Sequence, residues 1–163
     1  MKKIKFSIDG KSEEVLITNK PNLEFLTGGL LNKGIHASKG LIQNFSKKEI
    51  KILFYHELFH KYHTNKIIGL FVLFTILLFI FAPKLFHQEI ILLSAVVIFW
   101  LMYVVEEISA DVYASKKVGW KTYLHVLKKY SKLKAKEGLF KDVIRQLTHL
   151  PHPIRHFLIE KFG

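Results

Sequence analysis

The sequence predicts an α+β protein that is mostly helical, with a small N-terminal β-sheet and an inserted hairpin of two apolar helices. Three observations carry this reading. Lys3–Ser7 and Glu14–Thr18 alternate in polarity around Asp9-Gly10-Lys11, the pattern of a β-hairpin closed by a tight turn. Ser46-Lys47-Lys48-Glu49 has the spacing of a helix capping box, so a helix begins there. Ile67–Ala82 and Ile90–Val105 are each 16 residues long and carry no charge.

The elements follow in order. After the first hairpin, Pro21-Asn22 breaks the chain, and Phe25–Gly29 reads as a loop or strand end. Gly34–Ser38 reads as a short strand bounded by glycine, and Leu41–Phe45 as a short helical turn. The helix after Ser46 has apolar residues at Ile50, Leu53, Phe54 and Leu58, a helical repeat that continues to His63 and into the first apolar block. Beyond the second block a helix continues to about Lys117, and Gly119 ends it. Lys121–Lys134 is amphipathic through Tyr123, Leu124 and Leu127. Gly138 interrupts, a helix is expected over Phe140–Leu147, Thr148–Pro153 is a turn, and Ile154–Phe162 is a last helix.

The apolar blocks set the broad class. A helix needs about 20 mostly apolar residues to cross a bilayer. The first block extends through Pro83-Lys84-Leu85-Phe86, with Lys84 reaching for the interface, and the second places Trp100 and Tyr103 where an aromatic belt lies. We expect a transmembrane hairpin and hence an integral membrane protein. Met1-Lys2-Lys3-Ile4 leads into a polar segment, so no cleavable signal peptide is expected. The net charge of +12 comes from scattered Lys residues with no aromatic-interleaved or Arg/Gly pattern, so membrane lipid is the expected partner and nucleic acid is not. The positive-inside bias puts the Lys-rich parts in the cytoplasm and only the 83–88 turn outside. There is no Cys, so any metal must sit on His and carboxylates.

The chemistry-bearing motif is His56-Glu57-Leu58-Phe59-His60. Residues four apart share a helix face, so His56 and His60 can reach one metal ion, and Glu57 can act on a water at that metal. A third ligand is needed, and Glu107 is the candidate within Glu106-Glu107-Ile108-Ser109-Ala110-Asp111. Glu106 competes for the role, but only Glu107 has an Asp four residues on; Asp111 would then fix a ligand His from behind. His60 and Glu107 lie at similar distances from the centre of the hairpin, which therefore returns the chain to the level of the metal. Two imidazoles and a carboxylate favour one Zn2+ per chain. His36, His63, His87, His125 and His156 read as surface or interfacial groups, Trp100 and Tyr103 as membrane anchors.

These residues resemble the HtpX-like metallopeptidases, the superfamily that includes the CAAX prenyl endopeptidases. The resemblance rests on Gly28-Gly29 through Gly40-Leu41-Ile42 and His56–His60, on Glu107–Asp111 after a pair of apolar helices, and on Thr148-His149-Leu150-Pro151 followed by Arg155. It implies a zincin-type core and a zinc-dependent endopeptidase in three parts: residues 1–66, the hairpin 67–105, and residues 106–163. Metal ligands would be His56, His60 and Glu107, and Glu57 the general base. An oxyanion donor is expected from His149, or alternatively His152. Arg155 would pair with Asp111 or another acidic group. The Gly34–Ser38 strand is a candidate edge for an extended protein or peptide substrate. Leu150 stands where the family has a proline, and His152-Pro153 offers a second alignment of that block. Two other readings compete: a latent or inactive metal-binding membrane sensor or scaffold of the same fold, and a basic membrane-surface adaptor without metal.

Overall fold

A computed structural model of the chain describes residues 2–8, 10–27, 34–81, 88–134 and 152–162. The expected helix at 140–147 and all but the last residue of the expected 83–88 turn lie outside them. The protein is α+β and mostly helical.

β1 (Lys2–Ile8) and β2 (Lys11–Thr18) form the expected antiparallel hairpin, with Ile4 opposite Val15. Gly10 makes the turn at φ +78°, a backbone conformation that side-chain-bearing residues avoid. β3 (Phe25–Thr27) and β4 (Ile35–Ser38) complete a sheet of order β1-β2-β4-β3, with β4 parallel to β2 and antiparallel to β3.

This order corrects one expectation. The Gly34–Ser38 strand is interior, not an open edge, because β3 pairs along its other side. The physical reason is the Ser38 side chain. Its Oγ accepts from Glu24 N at 3.0 Å and donates to Asn22 O, while Ser38 N donates to Glu24 O at 2.8 Å. The chain leaving Pro21-Asn22 is thereby tied to the end of β4, and Phe25 follows in register with Ala37. A buried serine side chain with three partners is a tertiary event that strand periodicity does not report.

Ser38 also caps α1 (Lys39–Asn44), accepting from Leu41 N at 3.1 Å. α2 (Lys47–Phe81) starts at the expected capping box: Ser46 N donates to Glu49 Oε2 at 2.8 Å and Glu49 N to Ser46 Oγ at 3.3 Å. Its first turns bury Ile50, Leu53, Phe54 and Leu58 against the sheet and the later helices, with Phe54 stacked on Phe6 at 5.7 Å between ring centroids. Its 35 residues span about 52 Å without a break. α3 (Gln88–Val118) runs back antiparallel, with the rings of Phe71 and Phe99 4.8 Å apart.

Gly119, at φ +84°, turns the chain into α4 (Trp120–Lys134), which lays Tyr123, Val126 and Leu127 into the core. α5 (His152–Phe162) adds Ile159 and Arg155. One hydrophobic cluster joins the sheet, the first half of α2, the last turns of α3, α4 and α5. The other halves of α2 and α3 differ. Leu70, Leu73, Ile80, Leu92, Leu93 and Val96 are all exposed, and both helices are long and apolar enough to cross a membrane.

Candidate metal centre

The site lies where α2 and α3 cross from the globular core into their apolar halves. α2 presents His56 and His60 one turn apart, and α3 presents Glu106, Glu107 and Asp111 toward them. Among the described residues, His56, His60 and Glu107 form a group able to hold a metal ion. Glu107 is buried and the two imidazoles are half-buried.

The geometry suits a small cation. The Nε2 atoms of His56 and His60 are 3.1 Å apart, Glu107 Oε1 is 3.4 Å from His60 Nε2, and Glu107 Oε2 is 3.7 Å from His56 Nε2. Three donors on a tetrahedron with bonds of about 2.1 Å lie about 3.4 Å from one another. The observed separations of 3.1–3.7 Å bracket that value, with Glu107 turning one carboxylate oxygen toward each imidazole, and the donor set of two nitrogens and a carboxylate suits zinc chemistry.

Both Nδ1 atoms point away from the triangle and meet a carboxylate. His56 Nδ1 is 3.0 Å from Asp111 Oδ1, and His60 Nδ1 is 2.9 Å from Glu106 Oε1. An acceptor behind each ring fixes the tautomer that leaves Nε2 free to bind a metal. Asp111, 1% exposed, is held in turn. Arg155 grips it with both ends of its guanidinium, Nε to Oδ2 and one terminal nitrogen to Oδ1, each at 2.7 Å, and the Tyr123 hydroxyl donates to Oδ1 at 2.6 Å. Burial pushes the Asp111 carboxyl up, but the Arg155 charge and the His56 contact outweigh it and hold the group well below the usual carboxylate range. Burial likewise acts to lower the His60 pKa; the bonds to Glu106 and Glu107 overcome it and raise the value to about 10.

Glu57 is half-buried and lies within electrostatic reach of His60. His149 lies outside the described residues, as does the His152 side chain; His152 itself opens α5. His63 is on the surface, its Nδ1 donating to Phe59 O at 3.0 Å.

Four contacts were not legible from the sequence in the roles they take. Glu106 stands behind His60 rather than competing with Glu107, and the Thr64 hydroxyl donates to the same Glu106 oxygen. Tyr123 reads as one apolar position of α4 yet reaches Asp111. Tyr103 reads as a membrane anchor yet its hydroxyl hydrogen-bonds Glu107, one turn along α3. The adjacent Glu106-Glu107 pair was the available signal: neighbours on a helix diverge by about 100°, so two carboxylates can flank one imidazole. No spacing rule marks a tyrosine on a separate helix. Comparison with protein-family models, with curated proteins and with solved structures returns no match.

Proposed function

We propose that this chain is a zinc-dependent membrane endopeptidase of the HtpX-like kind, with a zincin-type core, hydrolysing peptide bonds of membrane proteins at the cytoplasmic face. The observation that carries the reading is the triangle of His56, His60 and Glu107 with Glu57 beside it. A zinc ion there would supply Lewis acidity, lowering the pKa of water and polarising a peptide carbonyl. The protein's own groups do the rest. Glu57 takes the proton from the attacking water and delivers it to the leaving amine. Asp111 and Glu106 keep the imidazoles turned, and Arg155 and Tyr123 keep Asp111 in place. By resemblance, His149 or His152 donates a hydrogen bond to the oxyanion.

The apolar halves of α2 and α3 favour a membrane substrate. Lys66 is the last charged residue before the apolar run of α2 and is exposed. His60 precedes it by six residues, about 9 Å along the helix. A hairpin crossing the bilayer thus holds the site close beneath the lipid headgroups, within reach of chains that emerge there.

The test is cleavage of casein and of a membrane-protein substrate by purified, detergent-solubilised protein, compared with Glu57→Gln. We expect Gln to lower the rate by at least about 100-fold with zinc content unchanged. Equal rates in both proteins would overturn the enzyme assignment. Zinc bound at one per chain with no cleavage by either would favour the sensor or scaffold reading.

A further inference from the structure

We infer that Glu106 is a positioning residue for the metal, acting through His60; this rests on the metal-centre reading above. The two imidazoles of the site are oriented by different means. His56 leans on Asp111, which Arg155 and Tyr123 also hydrogen-bond. His60 leans on Glu106, whose Oε1 lies 2.9 Å from His60 Nδ1 and also accepts from the Thr64 hydroxyl. Glu106 is 5% exposed, so its orientation is set by these bonds rather than by water.

The placement makes the role specific. Thr64 is four residues beyond His60, on the same face of α2, and Glu106 comes from α3. The carboxylate therefore bridges two positions of one helix from the other, at the level where both pass into their apolar halves. Rotation of the His60 ring by half a turn would put carbon atoms where Nδ1 and Nε2 now stand, breaking the bond to Glu106 and taking Nε2 out of the triangle. With Glu106 accepting at Nδ1, Nε2 is the nitrogen left facing His56 Nε2 and Glu107. A carboxylate behind a ligand imidazole also raises its basicity toward the metal. Asp111 shares its charge with a buried arginine, whereas the described partners of Glu106 are the His60 ring and a neutral hydroxyl, so more of the Glu106 charge is directed at its histidine.

The experiment is zinc affinity by competition with a chromophoric chelator, together with the visible spectrum of the Co2+-substituted protein, on full-length detergent-solubilised chain. Wild type is compared with Glu106→Ala, Glu106→Gln and Thr64→Val. We expect Glu106→Ala to weaken zinc binding about 10–100-fold and to alter the tetrahedral Co2+ bands. Glu106→Gln retains an accepting oxygen and loses the charge, so a smaller loss is expected. Thr64→Val removes only the hydroxyl that steadies Glu106 and weakens binding least. Unchanged affinity in Glu106→Ala, or equal losses in the Ala and Gln variants, would overturn the positioning role. If Glu106→Ala does not fold, the order of wild type, Thr64→Val and Glu106→Gln decides: no loss in either variant overturns it. A wild-type chain that holds no zinc would overturn the metal reading itself; wild-type binding with an unaffected Glu106→Ala removes only this inference.

Discussion

Replacing Arg155 with Met should cost this protein much of its stability, although Arg155 is 48 residues beyond Glu107. Arg155 is 8% exposed and makes two 2.7 Å bonds to Asp111, itself 1% exposed. Methionine keeps the aliphatic stem but leaves the carboxylate with no cation. Breaking one side of a buried ion pair costs about 3–5 kcal/mol. The Tyr123 hydroxyl and His56 still contact Asp111, which argues for the lower end, about 3 kcal/mol. For a chain of this size each kcal/mol moves the midpoint by about 2–4 °C, so a fall of about 6–12 °C is expected. The assay is thermal unfolding of detergent-solubilised protein followed by tryptophan fluorescence and circular dichroism. Pairing with Asp111→Asn completes the test, because the double variant leaves neither member of this pair as an uncompensated charge and should lose less than the two single losses added together. A midpoint for Arg155→Met within about 2 °C of wild type, or strictly additive losses, would refute the claim that this pair pins α5 to the site.

Three further outcomes follow from the same structure. Glu107→Ala removes the third donor of the triangle, and zinc content measured by atomic absorption should fall from about one per chain to well under half. The Lys129 and Ser46 hydrogen bonds lower the Glu49 pKa from 4.5 to about 2. Its folded value lies below its unfolded one, so its contribution is present above about pH 4.5 and is lost as the pH falls toward 2. With a side chain 20% exposed the effect is about 1 kcal/mol, and Glu49→Gln should show a flatter stability profile between pH 6 and pH 3 than wild type. A Cβ at Gly40 would stand 1.9 Å from Pro21 O and 2.7 Å from Asn22 O, in a loop that Ser38 holds shut. Gly40→Ala should therefore cost at least about 2 kcal/mol in denaturant unfolding, whereas Gly69→Ala, with nothing within 4 Å of its Cβ, should be near neutral.

Local and periodic features were readable directly. The Gly10 turn, the Ser46–Glu49 box, the Gly119 break and the two uncharged runs each depend on neighbours within a few residues. Chain order alone was enough to identify them. Helical spacing put His56 and His60 on one face, and the near-equal arms on either side of the hairpin brought Glu107 to their level. The pairing of β3 with β4 was missed because it depends on the buried side chain of Ser38, 14 residues from its partner Glu24. The contact of Tyr103 with Glu107 was not legible for a similar reason, since an aromatic residue near the end of an apolar helix suits a membrane belt whether or not its hydroxyl reaches a carboxylate.

From the sequence alone came the composition of the site: a pair of imidazoles on one helix, acids on another, and no thiol anywhere in the chain. Which acid meets which ring nitrogen is a matter of angles of about 100° between adjacent helical residues and of how α2 and α3 are rotated against each other. Only packing sets that rotation. It turned Glu107 toward the Nε2 atoms and Glu106 toward His60 Nδ1, and it delivered Tyr123 and Arg155 from two later helices to a carboxylate that would otherwise be buried without a counter-charge.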